Sequence, residues 1–291
     1  MYNKGIDFVV ISHCKADYVS LLVKSIHRYV NNEEYTIYIV NNYIDEEKEK
    51  LELQNIFQDD KTVKILKGAD QSSTTVISKS GEFRQRSREW IGKIDKCRVA
   101  AGSKYGELGF DVGLKAGNRE FICALDNDAI FLDEWTNEVV NLLDSNLFVS
   151  NRWDPGNIFR EAENPQPKLG MARPMFWFMK REEMEINNLY PNNDYRDLWG
   201  NITYFAQQNG YDFHILQNSY WNETMRKRYN VKFEDVRAFH RSNKDHLLNI
   251  PYGEQAWISD RPFFFHQTRG AYRDLSSLDE WLKEAGGYLN D

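Results

Sequence analysis

Two aspartates separated by a single residue are the part of this sequence that is best suited to chemistry. Asp126 and Asp128 follow an apolar run, residues 121–125, whose pattern predicts a strand covered on both faces. Neighbouring carboxylates repel each other and are costly to desolvate without a compensating cation. Oxygen ligands of this kind suit a hard divalent ion, Mg²⁺ or Mn²⁺. Taken alone, however, Asp-X-Asp is more often a strand end that caps the next helix, so the rest of the chain has to decide between the two interpretations.

The elements before this pair alternate between strand and helix. Largely apolar segments at residues 7–12, 36–40 and 63–66 predict three strands, and the segments between them have apolar residues at helical spacing. Strand–helix–strand units join parallel strands by right-handed crossovers. The sequence therefore predicts an α/β fold in which a mostly parallel central sheet is flanked by helices. If the strand at 121–125 continues, Asp126 and Asp128 share one of its faces.

Two of the helices are predicted together with their caps. Asp45 is a candidate N-cap for an acidic helix, and Asp133 is a candidate N-cap for a helix that follows the aspartate pair. The acidic helix is expected to turn four apolar side chains inward, namely Leu51, Leu53, Ile56 and Phe57.

Length and composition limit the class of protein. The chain has 291 residues, of which 41% are hydrophobic and 14% aromatic, and this excludes a disordered protein. The net charge of −7 argues against nucleic acid as a partner, because phosphate binding needs a basic face. The three cysteines lack CxxC spacing, which disfavours a disulfide framework or a zinc site. Since there is no apolar run of about 18 residues and no leader pattern, we expect a cytoplasmic protein, with peripheral association with a membrane left open.

The order of these features resembles that of family 2 glycosyltransferases with a GT-A fold. The resemblance is carried by the strand around Phe8, by the turn Val40-Asn41-Asn42, and by the helix end Gly113-Leu114-Lys115-Ala116-Gly117 followed by Asp126-Asn127-Asp128. It covers the first half of the chain well and the second half more loosely.

The resemblance implies an enzyme that moves a sugar from a nucleotide-diphosphate donor, with a UDP-sugar favoured, to an acceptor hydroxyl with inversion. The acceptor would be a saccharide or a lipid-linked saccharide. It also implies two halves of one compact GT-A domain, in which residues 1–153 bind the nucleotide sugar and residues 154–291 bind the acceptor. A change in composition after the turn at Asp154 agrees with this division.

The resemblance also implies a metal site. Asp128 would be the direct ligand of Mn²⁺ or Mg²⁺, and Asp126 would lie beside the metal and contact the donor. His266 ends a late apolar strand and would be a further ligand, while Arg269 would contact the diphosphate. A lone histidine is also common as a structural residue, and this alternative stays open for His266.

Contacts to the nucleobase and ribose are implied at the ends of the first two strands. Ser12 and His13 occupy the loop after the first strand, and Asn41 ends the second. The family generally has an aspartate at the position of Asn41; an asparagine can accept the same hydrogen bond without the charge. Asp45 is the candidate for the missing carboxylate, although the asparagine pair here is equally typical of an ordinary turn.

A general base for the acceptor hydroxyl is implied in the second half of the chain. The family often has this carboxylate at a fixed distance before a Gly-Tyr pair, here Gly210-Tyr211, and counting back reaches Trp199. Asp197 and Asp194 are the nearest carboxylates and are therefore the candidate bases. Either is equally suited to cap a helix.

Two other functions are consistent with the sequence. A sugar-phosphate nucleotidyltransferase also uses an α/β sheet and paired carboxylates, but no Gly-rich phosphate loop follows the first strand here. A non-catalytic GT-A-like domain that binds saccharide is favoured by the departure from the base pattern at Trp199. Aromatic side chains in the second half could stack on sugar rings, although most are expected to be core.

Overall fold

The computed structural model describes residues 2–12, 16–30, 34–41, 46–68, 75–77, 83–85, 103–156, 170–173, 175–191, 199–267 and 275–290. The strands are β1 Asn3–Ser12, β2 Tyr35–Asn41, β3 Val63–Lys67, β4 Thr75–Ile77, β5 Phe83–Gln85, β6 Arg119–Asp126, β7 Ala129–Phe131, β8 Phe148–Ser150, β9 Trp153–Pro155, β10 Gly170–Ala172, β11 Phe176–Lys180, β12 His214–Ile215, β13 Gln217–Asn218, β14 Gly253–Ile258 and β15 Arg261–Gln267. The helices are α1 Ala16–Tyr29, α2 Glu46–Phe57, α3 Ser103–Ala116, α4 Thr136–Leu142, α5 Arg181–Ile186, α6 Gly200–Asn209, α7 Glu223–Tyr229 and α8 Leu275–Tyr288. Among these described helices, none has the length and apolar character needed to span a bilayer.

The central sheet has seven strands in the order β12-β8-β11-β6-β1-β2-β3. β1 pairs in parallel with β2 and β6, β2 with β3, and β8 with β12. Within this sheet only β11 runs antiparallel to its neighbours, β6 and β8. The predicted α/β fold with a mostly parallel central sheet is therefore confirmed.

Helices cover the central sheet on both faces, as the apolar run at residues 8–11 of β1 requires. Phe8 and Val10 belong to the same core cluster as the buried stripe of α1. Val9 lies in a different cluster, which includes Leu114 of α3. Alternate side chains of a strand face opposite sides, so a strand buried on both sides is apolar at most positions. The buried aspartate of β1, Asp7, is paired with Arg181.

A second, antiparallel sheet with the order β13-β14-β15-β7 packs against the central sheet. The chain passes from β6 to β7 through Asn127 and Asp128, so the two sheets meet at the aspartate pair. Aromatic rings fill the space between them. Phe131 of β7 stacks on Trp135 with 4.8 Å between centroids, and Trp135 meets Phe176 of β11 edge to face at 5.2 Å.

The buried face of α2 differs from the prediction. Leu53 and Phe57 are buried, but Leu51 is 59% and Ile56 is 42% exposed. Leu53 and Phe57 are four residues apart and lie on one stripe of the helix, whereas Leu51 lies about 200° around the axis from Leu53. The stripe that packs on the sheet is therefore narrower than the four apolar residues predict.

The start of α4 also differs from the prediction. The helix begins at Thr136 after Trp135, which makes no side-chain capping bond. Asp133 accepts a hydrogen bond from the backbone N–H of Glu134 and forms an ion pair with Arg261. Its carboxylate thus lies too early in the chain to cap the helix.

Candidate metal and donor site

The carboxyl-terminal edge of the central sheet is the place where a ligand is expected. The chain proceeds from β1 outward to β2 and β3, while β6 lies on the other side of β1. The strand order therefore reverses between β1 and β6, and open α/β sheets bind ligands outside the carboxyl ends of their strands at such a switch point. Ser12 ends β1 and Asp126 ends β6 at this place.

Three predicted site residues converge at this edge. Asp126 is the last residue of β6, Asp128 lies in the turn before β7, and His266 is in β15. His266 Nε2 is 3.1 Å from Asp128 Oδ1 and 3.7 Å from Asp126 Oδ2. One potential ligand atom from each residue lies within 4.8 Å of the other two. Because β6 stops at Asp126, a turn rather than a continuing strand brings the two carboxylates together.

Burial and charge differ across this cluster. The side chains of Asp128 and His266 are 6% and 2% exposed, whereas that of Asp126 is 38% exposed. Burial lowers the pKa of His266, but the carboxylates of Asp128 and Glu254 more than reverse this and raise the pKa to about 10. In the metal-free protein, a buried imidazolium therefore compensates part of the negative charge.

The spacing of the cluster fits a divalent ion. Ligands on adjacent corners of an octahedron, each about 2.1 Å from the ion, are about 3.0 Å apart, and ligands on opposite corners are about 4.2 Å apart. The 3.1 Å between His266 Nε2 and Asp128 Oδ1 matches adjacent corners. The 3.7 Å to Asp126 Oδ2 lies between the two cases, and Asp126 is the more exposed and therefore the more adjustable carboxylate.

Two predicted donor-binding residues lie at the same edge. Ser12 and Asn41 are direct partners in the parallel pairing of β1 with β2, and Ile11 is the partner of Asp126 in β6. Both Ser12 and Asn41 are buried. The structure thus places Ser12 on the strand next to β6 and Asn41 one strand further away, and their contact with a nucleobase or ribose stays a prediction.

The remaining predicted residues lie outside the described residues; they are His13, Asp45, Asp194, Asp197 and Arg269. Trp199, which stands where the family pattern has its base, is buried, stacks on Trp177 at 4.8 Å and meets Phe110 edge to face at 5.2 Å. Gly210 ends α6 in a left-handed conformation with φ of 70°. Trp199 is therefore a core residue, and the glycine of the Gly-Tyr pair marks a helix end.

Glu254 is a residue of this region that the sequence patterns do not reveal. It lies in β14 directly opposite His266, is 1% exposed, and has Oε2 3.7 Å from His266 Nδ1. Asn151 donates a hydrogen bond from Nδ2 to Glu254 Oε1 at 3.3 Å. The sign of it in the sequence is a glutamate inside a short, partly apolar strand. Because a glutamate is almost never fully buried without a partner, such a residue points to a buried partner.

The sequence matches no family model, and no curated protein matches it. Membership of family 2 therefore stays a prediction. Parts of the chain resemble solved glycosyltransferase structures. A fragment of S. aureus TarS, residues 1–349 in complex with UDP, is 14% identical with a TM-score of 0.39, and the match covers 65% of this chain and 50% of that one.

Two further structures show comparable likeness. The mannosyltransferase PcManGT from Pyrobaculum calidifontis, in complex with GDP-Man and Mn²⁺, is 12% identical with a TM-score of 0.46 over 74% of this chain and 55% of its own. Mouse xyloside xylosyltransferase 1 in its apo form is 13% identical with a TM-score of 0.44 over 83% of this chain and 94% of its own. The chain spans about half the length of the TarS fragment and of the mannosyltransferase. At this identity and TM-score, the likenesses assign neither donor nor acceptor to this chain.

Proposed function

We propose that this chain is a metal-dependent glycosyltransferase with a GT-A fold, related to family 2, which transfers a sugar from a nucleotide-diphosphate donor to an acceptor hydroxyl. The observation that carries the proposal is the convergence of Asp126, Asp128 and His266 at the switch point of a mostly parallel α/β sheet. A cluster of two carboxylates and one imidazole at this place combines the ligands of a divalent ion with the position where such sheets bind nucleotides.

The proposed roles follow the burial of each side chain. A bound divalent ion would supply Lewis-acid stabilisation of the charge that develops on the departing nucleoside diphosphate. Asp128 and His266 are nearly buried and would hold the ion in a fixed position. Asp126 is more exposed and would also orient the ribose or sugar of the donor. Ser12 and Asn41 would bind the nucleobase and ribose.

The ligand set favours Mn²⁺ over Mg²⁺. Mg²⁺ is bound by oxygen atoms and keeps several water molecules, whereas first-row transition ions also accept imidazole nitrogen. His266 Nε2 already lies 3.1 Å from Asp128 Oδ1 in a buried position. The preference for UDP as the nucleotide rests on the family resemblance alone.

The acceptor side of the proposal is assigned to residues 154–291. Asp197 or Asp194 would accept the proton of the attacking hydroxyl, and direct displacement would then invert the configuration at the sugar carbon. The acceptor would be a saccharide or a lipid-linked saccharide. A lipid-linked acceptor would require peripheral association with a membrane.

A donor screen tests this proposal. Thermal unfolding would be followed with a panel of nucleotide sugars in Mn²⁺ or in EDTA. A donor at a hundred times its Kd adds about 2.7 kcal/mol to the free energy of unfolding, and we expect this gain only with Mn²⁺. With an acceptor present, nucleoside diphosphate released from the nucleotide sugar would identify sugar transfer. Pyrophosphate released in a separate assay with a nucleoside triphosphate and a sugar 1-phosphate would identify a nucleotidyltransferase. Protection without transfer or hydrolysis would identify a non-catalytic binding domain.

Asp128→Asn is the matching test of the site. The amide keeps the shape of the side chain and removes the charge, so we expect donor turnover to fall by at least about 100-fold. In EDTA the variant should still unfold cooperatively, but at lower stability than the wild type, because His266 loses the carboxylate with which it pairs. Asp133→Asn is the control, because Asp133 pairs with Arg261 outside the cluster and should be dispensable for turnover. Wild-type turnover by Asp128→Asn would contradict the proposal.

A further inference from the structure

A buried carboxylate stands behind the imidazole of His266. Glu254 is 1% exposed and faces His266 across the β14–β15 pair. Its Oε2 lies 3.7 Å from Nδ1, the ring nitrogen that does not face Asp128. In the part of the chain that the structure describes, neither of these two buried atoms has a hydrogen-bond partner. Buried polar atoms are almost always paired, so two unpaired atoms that face each other require an explanation.

Arg152 is a second buried cation near Glu254, and it has other partners. Its Nε and Nη2 donate hydrogen bonds to the two carboxylate oxygens of Asp154 at 2.9 and 3.3 Å. Its guanidinium also lies 3.2 Å from the ring centroid of Tyr220. Among the described residues, His266 is the ion-pair partner of Glu254 within 4.0 Å. A buried carboxylate is costly unless it is paired, so the position of Glu254 is best explained by His266.

Asn151 fixes the orientation of this carboxylate. The side-chain oxygen of Asn151 accepts hydrogen bonds from the backbone N–H groups of Met175 and Phe176 at 3.1 and 3.0 Å. Its Nδ2 is thereby turned toward Glu254 and donates to Oε1 at 3.3 Å. Because Oε1 is held in this way, Oε2 is the oxygen that faces His266.

We propose that Glu254 is a positioning residue of the metal site, in which Oε2 accepts a hydrogen bond from His266 Nδ1–H so that the lone pair of Nε2 faces the ion. This inference rests on the metal site of the proposed function. The two groups need to approach by only about 0.8 Å, from 3.7 Å to an ordinary hydrogen-bond length of about 2.9 Å. A carboxylate behind a metal-binding histidine selects the ring tautomer and raises the basicity of the ligating nitrogen.

Two substitutions separate this role from a purely structural one. In Glu254→Gln, Asn151 holds the amide oxygen, so the amide N–H₂ group faces His266 Nδ1. That nitrogen then has to accept a hydrogen bond, which places the proton on Nε2 and blocks the ligand position. Glu254→Leu changes the shape more but leaves the tautomer free. We therefore expect Mn²⁺ to bind most tightly to the wild type, less tightly to Glu254→Leu and least tightly to Glu254→Gln, the last being weaker by about 10–100-fold.

The measurement is Mn²⁺ binding to the whole chain without nucleotide, followed by electron paramagnetic resonance. Electron spin-echo modulation would detect the imidazole nitrogen bound to Mn²⁺, and we expect this signal in the wild type and its loss in Glu254→Gln. Glu138→Gln is the matched control, because Glu138 pairs with Arg261 away from the cluster. It should bind Mn²⁺ as the wild type does.

Asp128→Ala distinguishes failure of this inference from failure of the proposed function. If the wild type does not bind Mn²⁺, or if Asp128→Ala binds it equally well, the metal site is overturned and the role of Glu254 with it. If Asp128→Ala loses binding while Glu254→Gln keeps both affinity and nitrogen signal, only the role of Glu254 is overturned. Weaker binding by Glu254→Leu than by Glu254→Gln would indicate a requirement for shape alone and would also overturn it.

Discussion

At the scale of single residues, buried charge determines what the candidate site can do. Asp128 and His266 are shielded from water, so their interaction is screened much less than that of a surface pair. The raised pKa of His266 means that this residue carries a proton at neutral pH when no metal is bound. In the metal-free protein, the protonated imidazole is thus the cation beside the carboxylates. A metal ion that binds there has to displace the proton of His266.

The pH dependence of stability tests this account. The groups that face His266 are Asp126, Asp128 and Glu254, and the pKa is raised from 6.5 to about 10 on folding. A group whose pKa is raised on folding contributes its full stabilisation below its unfolded pKa, here 6.5. This contribution is lost as the pH rises through the folded pKa of about 10. In EDTA, the stability advantage of the wild type over His266→Gln should therefore shrink from pH 6.5 to 10. Urea unfolding at several pH values measures the difference in stability between the two proteins. A difference that does not change with pH would contradict the raised pKa.

At the scale of elements, the glycines near the end of α3 have a packing role. A Cβ atom on Gly113 would lie 2.3 Å from Val9 Cγ1 in β1, and one on Gly117 would lie 2.1 Å from Asp7 Oδ2. The end of α3 therefore rests directly on β1 and on the buried ion pair of Asp7 with Arg181, whose atoms are 2.8 Å apart. The motif that carries the family resemblance thus has a physical explanation in helix-to-sheet contact.

Gly113→Ala tests this close contact. The added methyl group has to displace Val9 in a packed core, so we expect the free energy of unfolding to fall by about 1–3 kcal/mol. Gly287→Ala is the matched control in α8, because among the described residues no atom apart from its chain neighbours and its own helix backbone lies within 4 Å of the position of its Cβ. There, alanine should be neutral or stabilise the helix by up to about 1 kcal/mol. Urea unfolding compares the two variants. Equal changes in the free energy of unfolding would show that the contact with Val9 is not the cause of the loss of stability.

At the scale of the whole molecule, residues 1–153 and 154–291 contribute to the same sheet. β11 lies between β6 and β8, and Phe178 of β11 stacks on Phe121 of β6 at 5.6 Å. His266 also reaches the aspartate pair from the second half, because β15 pairs with β7. We propose that the two halves form one folding unit and that the site needs both.

Residues 1–153 expressed alone should therefore fail to fold cooperatively. The edge of β6 would be left open, and Asp7 would lose its buried partner Arg181. Breaking a buried ion pair costs about 3–5 kcal/mol, which is a large part of the stability of a domain. Urea unfolding followed by circular dichroism, with the whole chain as reference, measures the result. A sharp transition for residues 1–153 would show that the first half is independent.

Local patterns were sufficient to predict many of the elements. Residues 8–11 and 121–125 are apolar without interruption because helices or the second sheet cover both faces, and the structure has β1 and β6 there. The same reasoning misjudged α2, where the period of the helix leaves Leu51 and Ile56 exposed. The departure from the family's base pattern fell on Trp199, and this residue packs in the core, as expected for most of the aromatic side chains in the second half. An apolar or aromatic residue does not reveal by type alone which neighbours will bury it.

The sequence by itself predicted the main strands of the central sheet and the aspartate pair at a strand end, because apolar runs and strand ends are local properties. The candidacy of His266 came from the family resemblance. Only the tertiary structure decided that His266 lies within hydrogen-bonding distance of Asp128 and that Glu254 lies behind it. Glu254 is placed opposite His266 by the pairing of the consecutive strands β14 and β15, and the contact with Asp128 depends on the pairing of β15 with β7, which lies far away along the chain. The pairing of distant strands results from burial across the whole molecule, and no local pattern records it.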